Sequence, residues 1–396
     1  MRPLPITHFT MTSCLGRGLA ATSLALQAGR SGLKPCDFET VDIDTWIGEV
    51  DGVDQVHLRD DLARFDCRNN RLAQLGLQTD DFEQGVREAI ARYGADRVGV
   101  FMGTSTAGIL QTELAYRQRD PATGGLPPSF HYAETHNAYS VADFLSHYFG
   151  LRGPSLALSA ACASSAKAFG NAARMIEAGL IDAAIVGGVD SLCLTTLYGF
   201  RSLELTSSQP CRPYGADRDG ISIGEAVGLA LLQRDGPAEA PRLLGVGESS
   251  DAHHMSTPHP EGRSAQLAIR AALSAAGLTP FQIDYINLHG TGTPSNDAAE
   301  GKAVGAVFGA QVPCSSTKGA TGHTLGAAGA IEAVISLLSI RDGFMPAGLN
   351  VDRCDPAIHI DYLIKTCHGR VDHVLSNSFG FGGANASLVF GRGARS

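Results

Sequence analysis

Short apolar runs alternate with alanine-rich segments along most of the 396-residue chain, and this alternation limits the folds open to it. Residues 97–102 and 155–159 have the pattern of buried strands. Residues 163–178 carry apolar side chains on one helical face, and another apolar run follows at 182–188. Buried strands that alternate with helices are typical of a parallel sheet covered by helices. The sequence therefore predicts an α/β fold.

The second half of the chain repeats this order of elements. Its predicted helices are 264–276, 298–308 and 325–340, and its predicted strands are 285–288 and 312–315. Two similar halves indicate a duplication. Residues 235–241 are rich in turn formers, so we place the boundary there, between an N-terminal half, 1–240, and a C-terminal half, 241–396. A hairpin loop inside one continuous unit is the alternative interpretation of that segment.

Composition excludes several classes of protein. The chain is 44% hydrophobic and 18% charged, which is typical of a globular protein rather than a disordered one. Its net charge of −9 opposes binding to nucleic acid. No run approaches the roughly 18 apolar residues that span a bilayer, and the first residues lack a signal-peptide pattern. Nine cysteines without a CxxC pair indicate a reduced chain, so we expect a soluble, cytoplasmic protein.

Cys162 lies among small residues, in SAACASSA, where a predicted strand meets a predicted helix. Backbone N–H groups and the helix dipole at such a position stabilise a thiolate, so we expect the pKa of this thiol to fall below its ordinary value of about 8.5. The same N–H groups can bind an oxyanion. A small buried side chain is the alternative interpretation, and it is the correct one for most cysteines.

Two histidines favour the catalytic interpretation, because each lies in a turn rich in glycine and threonine. His289 follows one predicted strand in NLHGTGTP, and His323 follows another in SSTKGATGH. Lys318 precedes His323 by five residues, which places a cation near an imidazole. Residues 376–385, SNSFGFGGAN, interrupt two strands with glycines and can direct a backbone N–H at a reaction centre.

Five motifs together resemble the β-ketoacyl-acyl-carrier-protein synthases, the condensing enzymes of the thiolase-like superfamily. They are, in order, SAACASSA, RPYGADRDGISIGEA, NLHGTGTPSND, SSTKGATGHTLGAAGAIE and NSFGFGGAN, and the resemblance covers the chain from Pro5 to Phe390. The resemblance implies a duplicated thiolase-like fold in αβαβα layers. It also implies an acyltransferase that joins an acyl thioester to malonyl-acyl-carrier protein with loss of carbon dioxide.

The resemblance also implies the roles of individual residues. Cys162 corresponds to the nucleophile, and His289 and His323 to the pair that stabilises the enolate. Lys318 corresponds to the lysine that supports His323, and Glu300 to the buried acid of the site.

The remaining implied roles concern the oxyanion and the substrate. The backbone N–H groups of Cys162 and Phe379 correspond to the oxyanion hole, with Phe379 also the gate. The implied substrate-binding residues are Thr106 at the acyl pocket, Thr291 and Thr293 at the phosphopantetheine arm, His254 on a mobile loop, and Phe381.

No metal or dissociable cofactor is expected, because decarboxylation generates the reactive carbon from the substrate, which is carried on phosphopantetheine. His253, His254 and His259 lack a spacing that would bring three rings together on a metal. Residues 103–108 lack the G-x-G-x-x-G pattern of a dinucleotide site.

The expected partner is acyl carrier protein, which is acidic, so docking requires a basic patch. Arg64, Arg68 and Arg71 have helical spacing and are our candidates, with a solvated helix face as the alternative interpretation. A homodimer, or a heterodimer with a ketosynthase-like subunit, is expected from the resemblance. The pattern FDCRNNR and the residues before His323 resemble synthases of aryl polyene or polyketide pigment pathways.

Two other functions remain as alternatives. One is a non-elongating partner subunit of the chain-length-factor type, which the presence of Cys162, His289 and His323 opposes. The other is a thiolase-fold acyltransferase that uses coenzyme A thioesters, for which Cys314 or Cys354 would be the second cysteine.

Overall fold

Two halves with the same strand order make up the fold in the computed structural model, which describes residues 1–394. The strands are β1 Leu4–Ser13, β2 Gly16–Arg17, β3 Lys34–Pro35, β4 Trp46–Gly48, β5 Val98–Gly103, β6 Ser155–Leu158, β7 Ala183–Asp190, β8 Ile223–Gly224, β9 Ala226–Gln233, β10 Arg242–Ser250, β11 Tyr285–Asn287, β12 Pro313–Ser315, β13 Phe344–Met345, β14 Asp361–Tyr362, β15 Cys367–His368, β16 His373–Phe379 and β17 Ala384–Gly391. The helices are α1 Gly18–Gln27, α2 Arg68–Leu77, α3 Phe82–Tyr93, α4 Ile109–Arg117, α5 Ser140–Phe149, α6 Ser164–Glu177, α7 Leu194–Ser202, α8 Arg263–Ala276, α9 Pro294–Phe308, α10 Lys318–Thr321 and α11 Ala328–Asp342.

The sheet order demonstrates the repeat. In the N-terminal half the strands lie in the order β6-β5-β7-β9-β1, and in the C-terminal half in the order β12-β11-β16-β17-β10, with β14 added outside β12. In each half the first three strands run parallel and the last two pair antiparallel to their neighbours. The halves meet where β1 pairs with β10. The predicted α/β fold with a duplicated, thiolase-like architecture is confirmed.

Helices α6 and α11 form the central layer of the fold. Residues 328–340 of α11 are all buried, so this helix has no face for solvent, and it contacts β9, β16 and α6. Helices α2, α3 and α5 cover the outer face of the N-terminal sheet, and α8 covers the C-terminal sheet. The result is five layers of helices and sheets. The N-terminal ends of α6 and α11 lie close together, near the loops that follow β6 and β12.

Most predicted elements form within a few residues of their expected bounds, and the exceptions have local causes. Helix α9 begins four residues before the prediction, because Pro294 at its first position fits a helix start. The predicted helix 325–340 begins as a 3₁₀ turn, Leu325–Ala327, before α11. The segment 235–241 connects β9 to β10, which are separated by β1, so the hairpin interpretation is wrong.

No helix in the described part of the chain is both long and apolar enough to cross a bilayer. The final two residues of the C-terminal half lie outside the described residues.

Candidate active site

Cys162 lies in a sharp turn between β6 and α6, where it lines a cavity. Ala161 in this turn has a left-handed conformation, with φ of 47°. A non-glycine residue in that conformation costs about 1–3 kcal/mol and is typical of functional sites. Gly380, directly after β16, packs against the turn, and a Cβ there would lie 3.1 Å from the backbone nitrogen of Cys162. The loops of both halves therefore meet at this cysteine.

Both predicted histidines lie in the same cavity. His323 Nε2 is 3.1 Å from Cys162 Sγ, and the centroids of the His289 and His323 rings are 5.4 Å apart. The Leu325 N–H donates to His323 Nδ1 at 3.2 Å, and Lys318 Nζ lies 3.4 Å from His289 Nδ1. Because both Nδ1 atoms face donors, each neutral ring carries its proton on Nε2.

Burial makes these imidazoles neutral. It is the main cause that holds the pKa of His289 and of His323 well below the ordinary range, and the positive charge of Lys318 acts in the same direction. At neutral pH the cavity therefore presents two uncharged Nε2–H donors. Such N–H groups can stabilise an oxyanion by donating hydrogen bonds to it.

Lys318 contacts His289 directly, whereas it acts on its predicted partner, His323, through its charge alone. Its ammonium group donates to the backbone carbonyl of His289 and to Glu332. All three residues are buried. Lys318 follows β12 on the short helix α10, which places its side chain beside the loop of His289.

Glu332 is the acid that neutralises Lys318, and our sequence reasoning did not assign it. Burial raises the pKa of Glu332 to about 7, against the opposing effect of Lys318. The sequence did contain a signal for this role. Glu332 is the only carboxylate among residues 328–340 of α11, and this segment has no exposed face. A charge in such a segment requires a partner.

Glu300 is a buried acid beside the site, as predicted, but it does not line the cavity. Its carboxylate accepts hydrogen bonds from the N–H groups of His289 (2.8 Å) and Gly290 (2.7 Å). Asp297, one turn earlier on α9, accepts from the N–H of Thr291 at 3.0 Å. Two carboxylates of one helix thus fix the loop that carries His289.

The thiol of Cys162 contradicts the expected fall in pKa. Burial raises its pKa to about 12, and the charge of Lys318 and the backbone N–H of Phe381 only partly oppose that rise. One residue, Ala163, lies between Cys162 and Ser164, where α6 begins. The resting cysteine is therefore a protonated thiol.

The N–H group directed at the sulfur belongs to Phe381, not to Phe379. The ring of Phe379 instead lies against His289, with the centroids 6.1 Å apart. Phe381 is 38% exposed at the cavity, and its ring centroid is 6.1 Å from that of Phe200. Phe381 is thus the more exposed of the two phenylalanines that line the cavity in this loop.

Most predicted substrate-binding residues line the cavity. His254, Phe381, Thr291 and Thr293 all do so, and the two threonine hydroxyls are 2.9 Å apart. Thr106 does not line it, because its hydroxyl is buried and lies 2.9 Å from a carboxylate oxygen of Asp190.

The structure overturns the predicted docking patch. Arg68 is buried and pairs with Glu225, Glu49 and Asp54. Arg71 binds Asp66, which leaves its charge neutralised. Arg64 lies in a separate 3₁₀ helix, Asp60–Phe65, beside His147. The three arginines therefore share no free basic face.

The histidines of the 251–259 loop do not form a ligand group among the described residues. The ring of His253 lies tilted against that of His259, with centroids 5.2 Å apart, whereas His254 Nδ1 accepts from the Ser256 N–H. One group of three side chains within residues 1–394 is close enough to hold an ion, and it consists of Cys162, His289 and His323.

Family models cover most of this chain. The β-ketoacyl synthase N-terminal domain matches residues 1–238, and the β-ketoacyl synthase C-terminal domain matches residues 241–352. The chain belongs to the β-ketoacyl synthase family. Its relatives include 3-oxoacyl-[acyl-carrier-protein] synthase 2 of Vibrio cholerae, which is 34% identical over 99% of both chains.

Solved structures agree with this assignment. A ketosynthase in complex with its chain length factor, from Xenorhabdus doucetiae, is 40% identical, with a TM-score of 0.90 over 98% of each chain. A β-ketoacyl synthase from Burkholderia phymatum is 29% identical, with a TM-score of 0.88 over 100% of each chain. The synthase described here is therefore a condensing enzyme of the acyltransferase type.

Proposed function

We propose that this synthase extends an acyl chain by two carbons, by decarboxylative Claisen condensation of a Cys162-bound acyl group with malonyl-acyl-carrier protein. The observation that supports this most directly is the arrangement of one thiol and two neutral Nε2–H donors in a single cavity. The reaction needs a nucleophile to hold the acyl group and donors to hold an enolate, and it needs no metal or dissociable cofactor.

The first step is acyl transfer to Cys162. Its sulfur forms a bond to the acyl carbonyl carbon, the thioester bond to the carrier breaks, and the thiol proton leaves with the carrier sulfur. Because one thiol loses a proton and the other gains it, the step needs no strong base. This agrees with a resting Cys162 thiol whose pKa burial raises to about 12. The N–H groups of Cys162 and Phe381 would hold the oxyanion formed in this step.

The second step forms the carbon–carbon bond. The malonyl carboxylate leaves as carbon dioxide, and its bonding electrons pass into an enolate whose oxygen is held by Nε2–H of His289 and His323. The enolate carbon then attacks the acyl carbonyl, and the Cys162–acyl bond breaks. Cys162 leaves as a thiolate and takes one proton from solvent, and the product is a β-ketoacyl thioester on the carrier.

Glu332 should make this reaction sensitive to pH near 7. Above its pKa of about 7 the carboxylate neutralises Lys318, and below it the proton removes that counter-charge. We expect the condensation rate to fall as the pH drops through about 7. Glu332→Gln should give a low rate without this inflection. Rates measured from pH 5.5 to 8.5 test this, with Glu248→Gln, which alters a surface carboxylate bound to Arg174, as the control. An unchanged inflection in Glu332→Gln would refute the assignment.

Arg201 replaces the rejected patch as our proposed docking residue. It lies on α7, is exposed, and pairs with no carboxylate within residues 1–394. Its neighbour Phe200 and nearby Leu205 line the cavity. Since the net charge of the chain is −9, an exposed cation next to a cavity-lining residue provides local attraction for an acidic carrier.

Charge reversal tests this site. We expect Arg201→Glu to raise KM for acyl-carrier protein about 5- to 30-fold with kcat little changed, and to leave short pantetheine thioesters unaffected, because steering acts on the carrier alone. Arg92→Glu is the matched control, since Arg92 is exposed on α3 and forms no ion pair within the described residues. Equal effects of the two substitutions would remove Arg201 from the docking surface.

We propose that a second ketosynthase-like subunit adds to the edge of the N-terminal sheet. No strand among residues 1–394 pairs with the outer side of β6, and Leu156 in this strand is 41% exposed. Tyr132 and Tyr139, in the loop before α5, are also exposed. Free edges of this kind accept strands from other chains. The relative from Xenorhabdus doucetiae, solved with its chain length factor, supports a heterodimer.

We propose a specialised pathway, of the aryl polyene or polyketide type, from the pattern FDCRNNR and the residues before His323. We place the reaction in the cytoplasm, where nine free cysteines stay reduced. The coenzyme A acyltransferase is disfavoured, because neither Cys314 nor Cys354 lines the cavity and Cys314 donates to the carbonyl of Asp361.

Intact-mass analysis of the purified chain tests the proposed function. The chain is incubated with acyl-carrier proteins of several lengths, with and without malonyl-carrier protein. We expect an acyl adduct that malonyl-carrier protein converts into a β-keto product longer by two carbons. The same assay is run with a chain-length-factor partner. Absence of adduct and product in both formats would overturn the proposal, and a product without a new carbon–carbon bond would favour the acyltransferase.

A further inference from the structure

Asp190, at the end of β7, is a buried carboxylate that the mechanism above leaves unused. It is 0% exposed, and no lysine, arginine or histidine within residues 1–394 forms an ion pair with it. Its Oδ1 accepts hydrogen bonds from Thr104 Oγ1, Ser105 N, Thr106 N and Thr106 Oγ1 at 2.6–2.9 Å. Its Oδ2 accepts from Ser105 Oγ and from the N–H of Gly326, both at 2.5 Å.

The bond to Gly326 connects this carboxylate to the His323 loop. Leu325, the preceding residue, has a left-handed conformation with φ of 51°, which a residue with a Cβ adopts only when its surroundings impose it. Gly326 fits tightly, because an added Cβ would lie 2.8 Å from Asp190 Oδ2. Asp190 therefore fixes the turn between Leu325 and Gly326.

That turn determines which nitrogen of His323 holds the proton. The Leu325 N–H donates to Nδ1 at 3.2 Å, so a neutral ring must carry its hydrogen on Nε2, the atom 3.1 Å from Cys162 Sγ. If the turn relaxed, Nδ1 would lose this donor and the other tautomer would become accessible. Nε2 would then be an acceptor and could not stabilise an enolate oxygen.

We propose that Asp190 is a positioning residue that holds His323 in its Nε2–H tautomer through the turn at Leu325 and Gly326. This inference rests on the proposed function, because it assigns the donor state that decarboxylation requires. Asp190 touches neither substrate nor Cys162 in this arrangement, and it acts through backbone groups. Six donors without a cation make it an anchor for two loops, one after β5 and one after His323.

Asp190→Asn is the most direct test. The new amide nitrogen cannot face Ser105 N and Thr106 N together, so it takes the Oδ2 position, where the Ser105 hydroxyl can turn and accept from it. The Gly326 N–H then loses its bond to residue 190 and keeps only the longer one to Ser105 Oγ, at 3.1 Å. We expect carbon dioxide release from malonyl-carrier protein to fall about 10- to 100-fold, as for loss of other orienting partners, with KM and acylation of Cys162 nearly unchanged. The ¹⁵N signals of the His323 ring should show a mixture of tautomers.

Thr104→Val is the matched control, because it removes a hydroxyl donor from the same carboxylate and leaves the Gly326 bond intact. It should keep the wild-type rate and a single tautomer. Equal losses in the two variants, or a wild-type rate in Asp190→Asn, would overturn the proposal. If Asp190→Asn does not fold, Gly326→Ala displaces the same turn, because its Cβ would lie 2.8 Å from Asp190 Oδ2. The same fall in carbon dioxide release and the same mixture of tautomers are then expected. Failure of the proposed function is distinguishable, because the wild-type chain itself would then release no carbon dioxide.

Discussion

Cys162→Ala should form no acyl adduct and should lose condensation by at least about 10⁴-fold, because removal of a nucleophile eliminates the covalent route altogether. The variant should still release carbon dioxide from malonyl-carrier protein, since His289, His323 and Lys318 keep their contacts. Intact mass measures the adduct, and release of labelled carbon dioxide measures decarboxylation. The two readouts together separate the holding of the acyl group from the formation of the enolate.

Cys367→Ala is the control for this experiment. Cys367 is a partly exposed thiol on β15 that does not line the cavity, so its substitution should preserve both the adduct and the product. A persistent acyl adduct in Cys162→Ala would mean that another cysteine is the acceptor, and Cys211, which donates to the carbonyl of Lys318, would be the next to examine. Loss of the adduct in Cys367→Ala would contradict the assignment equally.

The sequence was sufficient for the fold and for the meeting of Cys162, His289 and His323 in one cavity. Strand and helix periodicities report directly on burial, which is why β5, β7, α6 and α8 form close to their predicted bounds. The turn positions of Cys162, His289 and His323 were visible because small residues surround each of them. Parallel strands then bring the loops at their carboxyl ends to one edge of the fold.

Pairings between distant segments were not predictable in the same way. Helical spacing made Arg64, Arg68 and Arg71 resemble a basic docking patch, but Arg68 pairs with Glu49, Asp54 and Glu225, of which Glu225 is distant in sequence. Proximity along the chain likewise suggested that Lys318 serves His323, whereas the loop after β11 brings His289 to it instead. The thiol pKa depends on burial by segments from both halves of the chain, which no local pattern reports.

His289→Ala should stop the reaction at the second step instead of the first. It removes one of two Nε2–H donors for the enolate, and loss of a single oxyanion donor lowers rates by about 10²- to 10³-fold. Acylation of Cys162 should persist, because His323 remains beside the sulfur and Lys318 keeps the backbone carbonyl of residue 289 and Glu332 as partners. We therefore expect acyl-enzyme to accumulate in the presence of malonyl-carrier protein, visible as a stable mass adduct.

His289→Asn provides the matched comparison. Its amide restores an N–H donor near the position of the imidazole, so it should recover part of the decarboxylation rate that His289→Ala loses, although its donor reaches less far into the cavity. A wild-type rate of carbon dioxide release in His289→Ala would show that His323 alone holds the enolate. The neutral state of His289, enforced by burial and by Lys318, would then have no catalytic use, and its ring would serve chiefly to pack against Phe379.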